Sequence, residues 1–187
     1  QTFASSGSLA LQSSHLPDFI ERRGIKLVEN RVVYDRLLGT EHAIESGSEW
    51  NPAILTLGPD QFNPNHPITE GFDLIHFCYA GALEVSSSTG YETLGLIRTS
   101  PQAMLLDAKI AIEEKNNSAK VTQAMGSVEP RDSGFPLMVL QQSNRDEKEG
   151  RLLVASDADW LYGTIAGRVD ENGKLLAFNA NLGLMQN

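Results

Sequence analysis

The chain has 187 residues, 41% of them hydrophobic and 21% charged, with 16 glycines and 8 prolines. These are the proportions of a globular domain with a sizeable core, and they exclude a fibrous or disordered chain. Acidic residues outnumber basic ones 24 to 15, a net charge of −9. With no Lys/Arg cluster, such a surface repels phosphate backbones and anionic headgroups, so nucleic acid and peripheral membrane binding are not expected.

The opening "TFASSGSLALQSS" reads as a Ser-rich loop with a short element near Leu9 to Leu11. "SSHLPDFIERRGI" reads as a helix. Ser14 can cap it, Pro17 fits its first turn, Leu16, Phe19 and Ile20 share a face, and Gly24 ends it. Strands are expected at Arg31–Tyr34, Ile54–Leu57 and Leu74–Tyr79, with the polar stretch from Arg36 to Glu49 as a surface loop. The Pro- and Asn-rich "PDQFNPNHPITEGFD" is turn-forming. Another strand is expected at Thr93 to Arg98. In "SPQAMLLDAKIAIEEK", Ser100 is a plausible helix cap with Pro101 at the first helical position. After the polar region Asn116 to Gly134, strands are expected at Leu137–Leu140 and Leu152–Ala155.

"DADWLYGTIAG" starts a helix or a turn, and Asn172-Gly173 reads as a hairpin-like turn or loop. The spacing of Leu175, Phe178, Leu182 and Met185 predicts an amphipathic helix in the tail. Apolar strands without polar alternation, mixed with such helices, predict a single α/β domain over residues 1–187. The expected form is three-layered, with a mostly parallel sheet covered on both faces.

One cysteine, Cys78, excludes an internal disulfide and a thiolate zinc site. No apolar run approaches the roughly 20 residues of a membrane span. The first six residues lack the charged and apolar regions of a signal peptide. The chain lacks an initiator Met, so the expectation is a segment excised from a longer, membrane-anchored protein.

Several stretches taken together carry a resemblance: "RRGIKLVENRVVYD", "FNPNHPITEGFD", "LIRTSPQAMLL" and "GRLLVASDADWLYG…LLAFNANLGLMQN". In this order they resemble the extracytoplasmic auxiliary component of uncharacterised ABC transport systems, the GldG-like family linked to gliding motility. The resemblance covers nearly the whole chain from Leu16 onward. It implies a flavodoxin-like or class I glutamine-amidotransferase-like α/β domain, also found in intraflagellar transport proteins. It further implies a periplasmic position and, as partners, ABC transporter membrane or ATPase subunits or other envelope proteins. No catalytic residue carries over. Amidotransferase chemistry requires a cysteine followed by a histidine, whereas His15, His42, His66 and His76 all precede Cys78.

Asp157 and Asp159 are the leading candidate site residues. They follow the strand Leu152–Ala155, and open α/β sheets bind ligands at strand carboxyl ends. A D-x-D pair there can hold a divalent cation or accept from sugar hydroxyls. The competing and preferred reading is that Ser156 or Asp157 caps a helix, whose N-terminal end favours a carboxylate. Trp160 and Tyr162 beside them can stack on a sugar ring or pack at a subunit interface, with core packing preferred to either. Asn179 and Asn181, poor helix formers in an apolar tail, suggest hydrogen bonds to a loop or a ligand. His66 sits in a Pro-flanked turn, where it either faces solvent or reaches a site.

His76 alternates with apolar neighbours and reads as structural. Arg98 can pair with an anionic ligand or with a carboxylate such as Asp35. No serine elbow, Gly-rich phosphate loop or His/Cys metal spacing is present, so no cofactor and no metal are expected. The favoured reading is a non-catalytic envelope domain that binds a partner or a small hydroxyl-rich ligand through Ser156, Asp157, Asp159, Trp160, Asn179 and His66. A metal-dependent sugar- or nucleotide-processing enzyme using Asp157 and Asp159 is the alternative, and a purely structural interaction module the third.

Overall fold

In the run Arg31–Asp35 every residue after the first is buried, so this strand has no solvent face to mark with polar residues. The run Pro136–Ser143 is likewise buried on both faces over Leu137–Gln141. The computed structural model describes residues 16–44, 47–113, 121, 123, 125–126, 132–144, 150–157, 167–169 and 175–177.

Among these, the chain runs α1 (Leu16–Glu21), β1 (Ile25–Leu27), β2 (Arg31–Asp35), β3 (Gly39–Ile44) and β4 (Gly47–Leu57). A 3-10 turn (Pro59–Gln61) leads to β5 (Ile75–Cys78), β6 (Leu83–Val85), β7 (Tyr91–Arg98) and β8 (Ala103–Asp107). Then come α2 (Ala108–Glu113), β9 (Pro136–Ser143), β10 (Leu152–Ala155), β11 (Gly167–Val169) and β12 (Leu175–Ala177).

Every strand pairing among the described residues is antiparallel: β1 with β6, β2 with β8, β3 with β4 and β4 with β5, β7 with β9 and β9 with β10, and β11 with β12. Single backbone hydrogen bonds tie the small sheets together. The Val33 N–H donates to the Ala80 carbonyl at 2.8 Å, Val28 to Ala82 at 2.9 Å, and Ser156 to Leu137 at 2.9 Å.

The three-layer α/β domain with a mostly parallel sheet, flavodoxin-like or glutamine-amidotransferase-like, is therefore not the fold. The chain is mostly β, built of small antiparallel sheets with two short helices among the described residues. The apolar runs that suggested parallel strands have a different cause. β2 sends Val33 into one core cluster, with Leu55, Leu57, Phe77 and Leu137, and sends Val32 and Tyr34 into a second, with Ala53 and Leu106. β9 likewise places Leu137, Met138 and Leu140 in the first cluster and Val139 in a third, with Ile20, Ile25 and Leu83. A strand between two apolar clusters loses its polar alternation just as one between two helical layers does. Each such fully buried side chain contributes about 1.5–3 kcal/mol of transfer free energy.

Three local expectations also change. The polar stretch from Arg36 to Glu49 is largely the β3–β4 hairpin rather than a loop. Ser100 caps a turn, its Oγ accepting from Gln102 N–H at 3.1 Å, and strand β8 follows where a helix was expected. Leu175–Ala177, the start of the anticipated tail helix, is strand β12 paired with β11. Phe178, Leu182, Met185 and the Asn172-Gly173 turn lie outside the described residues.

The expected helix near the start is present. Gly24 closes it at φ +79°, and a Cβ there would stand 2.6 Å from the Ser86 carbonyl oxygen. Of the expected apolar face only Ile20 is buried. Phe19 instead lies against Arg23, whose guanidinium sits 4.6 Å from that ring and 4.8 Å from the ring of Tyr91.

Candidate functional site

Asp157 follows β10 and turns inward. It is 8% exposed, and its Oδ2 accepts the Cys78 N–H at 2.7 Å, joining the end of β10 to β5. Ser156 beside it is held through its backbone, donating to Leu137 and accepting from Gly81 N–H at 3.1 Å. Its Oγ is buried without a hydrogen-bond partner among the described residues. Asp159, Trp160 and Asn179, and any helix that Ser156 or Asp157 caps, lie outside the described residues.

His66 stands in the turn after the 3-10 segment. Its Nδ1 accepts from Ile68 N–H at 3.2 Å, and its carbonyl accepts from Thr69 and Glu70. Among the described residues no hydrogen bond joins His66 to Ser156 or Asp157. His66 belongs to the loop that leans on β7.

That loop walls a polar groove of about 320 Å³, lined by Asp60, Gln61, Asn63, Arg98 and Thr99 over a floor of Phe62, Gly95, Leu96 and Gly134. The sequence builds it with a bulge. Pairing of β7 with β9 shifts register between Gly95 and Ile97 and again before Arg98. Bulged strands bend and re-aim their side chains. The freed carbonyls of Gly95 and Leu96 are taken by Asn63, through Nδ2 at 3.1 Å and N–H at 2.8 Å, which clamps the loop to the strand.

Arg98 then lies folded back over Gly95: a Cβ at Gly95 would come within 2.9 Å of its Nη2. The guanidinium donates one long bond, 3.4 Å, to the Gly134 carbonyl. Gly134 is required for this closure, because a Cβ there would fall 1.8 Å from the Thr99 carbonyl oxygen. Across the junction Phe135 N–H donates to Thr99 Oγ1 at 2.7 Å and Thr99 N–H to the Phe135 carbonyl at 2.9 Å.

Arg98 and Asp35 do not pair. The Asp35 carboxylate is fully buried and taken by Ser100 N–H and Oγ, both at 2.8 Å, and by the Leu37 and Leu38 N–H groups. No carboxylate among the described residues forms an ion pair with Arg98. The other polar side chains of the groove are partly spent. Gln61 Oε1 accepts from Gly58 N–H at 3.1 Å and Asn63 Oδ1 from Asn65 N–H at 3.0 Å. What the groove offers a ligand is the guanidinium, the Gln61 amide donors and the Asp60 carboxylate. This set suits a small solute or partner side chain that carries an acceptor group, above all a carboxylate.

A wider depression of about 440 Å³ lies between Glu21, Gly24 and the β1–β6 ribbon. There Lys26 faces Glu84 in register, so opposite charges sit side by side. Among the described residues no group of His, Cys, Asp or Glu side chains is placed to hold a metal. No described helix is long and apolar enough to cross a membrane.

Gln61 and Asp60 read in the sequence only as part of a turn. Gly95 inside an apolar strand is the signal that could have located the groove, because an isolated strand glycine marks a bulge. Arg98 was identified, but its two alternative partners could not be separated without the pairing of Asp35.

A mostly β domain with a polar groove at a bulged strand is the class these observations define. The family described as ABC-type uncharacterized transport system matches residues 2–187, and the chain belongs to it as an auxiliary component of an ABC-type transport system. Its partners are accordingly those of a transporter. No curated protein and no solved structure matches the chain.

Proposed function

We propose that this domain is a non-catalytic, extracytoplasmic binding component of its transport system, of the gliding-motility-associated kind, and that the Arg98 groove is its recognition site. The observation that carries the reading is a guanidinium held in a polar groove without an ion-pair partner among the described residues. In a chain of net charge −9, a local positive group with only one long hydrogen bond among the described residues attracts an anionic function that the rest of the surface repels. The groove is of the size that takes a small ligand or one partner side chain. The alternative of a metal-dependent enzyme using Asp157 and Asp159 draws less support, because Asp157 is buried and engaged with the Cys78 backbone.

The test is a thermal-shift screen of small carboxylates and hydroxy acids on wild type, Arg98→Ala and Asp157→Asn. A ligand that stabilises wild type and Asp157→Asn but not Arg98→Ala supports the assignment. Equal stabilisation of all three places recognition elsewhere. Turnover of a substrate, lost in Asp157→Asn, overturns the non-catalytic reading. Topology mapping of the parent protein by alkaline phosphatase fusion tests the location, and a cytoplasmic result excludes it.

A further inference from the structure

Two side chains of opposite charge line the Arg98 groove, one from the strand and one from the loop. Arg98 comes from the end of β7 and Asp60 from the 3-10 turn, and both are exposed to solvent. No ion pair joins them, so neither charge is cancelled by the other. We propose, on the reading of this groove as the recognition site, that its ligand is a small zwitterion. This is an amino-acid-like solute whose carboxylate meets Arg98 and whose ammonium meets Asp60.

Other polar side chains of the groove are committed to the fold. Thr99 Oγ1 donates to the Ser100 carbonyl at 3.1 Å and accepts from Phe135 N–H at 2.7 Å. Asn63 uses Nδ2 on the Gly95 carbonyl and Oδ1 on Asn65 N–H. Orientation of a ligand therefore falls to the guanidinium, the carboxylate and the Gln61 amide donors. The backbone that carries Asp60 is fixed relative to β7. Gln61 N–H donates to the Gly58 carbonyl at 3.0 Å, Phe62 N–H to Pro59 at 3.1 Å, and Asn63 N–H to Leu96 at 2.8 Å. Groups placed before the ligand arrives lose less freedom on binding.

A ligand with one charge fits less well. A carboxylate alone gains Arg98 but meets a like charge on Asp60, and an ammonium alone meets the reverse. A zwitterion satisfies both, and it is neutral in the field of a chain of net charge −9. Its frame must be short. The groove of about 320 Å³ lies at the small end of ligand sites, and its floor includes Phe62 and Leu96, which are buried and apolar. A short hydrocarbon frame suits that floor, with its charged ends turned to the two walls.

The experiment is isothermal titration of the whole chain with three zwitterions of increasing charge separation: alanine, β-alanine and γ-aminobutyrate. Each is paired with the acid that carries a methyl in place of the ammonium, namely isobutyrate, butyrate and valerate. At least one zwitterion is expected to bind about threefold tighter or more than its methyl counterpart, the scale of one exposed ion pair. Asp60→Asn, at an exposed position and checked by an unchanged urea midpoint, is expected to remove that advantage. The simple acids should bind it as well as wild type or better. Arg98→Ala is expected to weaken both members of each pair. Simple acids that bind as tightly as every zwitterion, with binding lost in Arg98→Ala, overturn the zwitterion and leave the groove a carboxylate site. An advantage that survives Asp60→Asn also overturns it, since the general negative field of the chain would then be its source. Binding by no member of the series, or binding indifferent to Arg98→Ala, overturns the recognition site itself and this inference with it.

Discussion

Asp35, at the end of β2, shows how a buried carboxylate can be fully occupied without a cation. Four donors converge on it: the Ser100 hydroxyl and three backbone N–H groups. Hydrogen bonds to a charged acceptor are worth about 1.5–3 kcal/mol each, and an orphaned buried donor costs about 1–3 kcal/mol. Replacing Asp35 by Ala is therefore expected to lower stability by at least about 3 kcal/mol in urea denaturation. Ser100→Ala, which removes the hydroxyl but keeps the N–H bond, should cost about 1–2 kcal/mol by the same reasoning. If the two variants had equal midpoints, the carboxylate would not be the organising group. Asp157 repeats the pattern more simply, with its Oδ2 on the Cys78 N–H. This is the carboxylate that sequence position marked as a ligand contact or helix cap. In both residues the pairing depends on a backbone group far away in the chain, 65 residues for Asp35 and 79 for Asp157. No local pattern contains that information.

At the scale of elements, the β7 bulge and its glycines set the Arg98 groove, and two substitutions separate fold from site. Gly134→Ala places a Cβ on the Thr99 carbonyl, a backbone atom that cannot move aside. A loss of about 3 kcal/mol or more, the upper end for single substitutions, is expected from its denaturation midpoint. Gly95→Ala instead meets the flexible end of Arg98. It should change stability by less than about 1 kcal/mol, the glycine-to-alanine scale, while displacing the guanidinium and weakening any carboxylate ligand found for the groove.

The strands around this site were largely legible. β2, β5, β7, β9 and β10 fall where β-branched and apolar runs put them, with ends displaced by at most three residues. Their mutual direction was not. Burial on both faces erases the alternation that distinguishes an antiparallel strand, and Val32, Val33 and Tyr34 read alike in either arrangement. The tail failed for a related reason. Leu175 begins a run whose 3- and 4-residue spacings fit a helix, and three residues of it form a strand; short apolar runs do not discriminate. The β3–β4 hairpin was missed because its first strand is polar, "GTEHAI", and its register comes from the apolar half of β4.

For the whole molecule, two titratable groups shifted by burial, His76 on β5 and Tyr34 on β2, bound the pH range of stability. His76 on β5 pairs through Nδ1 with Thr56 Oγ1 at 3.0 Å, and Thr56 pairs in turn with Thr40 across β3, β4 and β5. Burial lowers its pKa below the usual 6.5, outweighing a backbone hydrogen bond with Leu55 that raises it. The folded chain thus binds this proton more weakly than the unfolded chain does. Its stabilising contribution is complete above pH 6.5 and is lost as pH falls from there toward the lowered folded value. Tyr34 acts at the other end. Its phenol ionises near 10 when unfolded and near about 12 when folded, held up by burial and by Tyr79. The contribution is complete below pH 10 and declines as pH rises from 10 to 12, by about 2–3 kcal/mol in all at 1.36 kcal/mol per unit. Urea midpoints measured across pH should form a plateau between these limits and fall on both sides. His76→Gln should flatten the descent just below pH 6.5, and Tyr34→Phe the descent above pH 10.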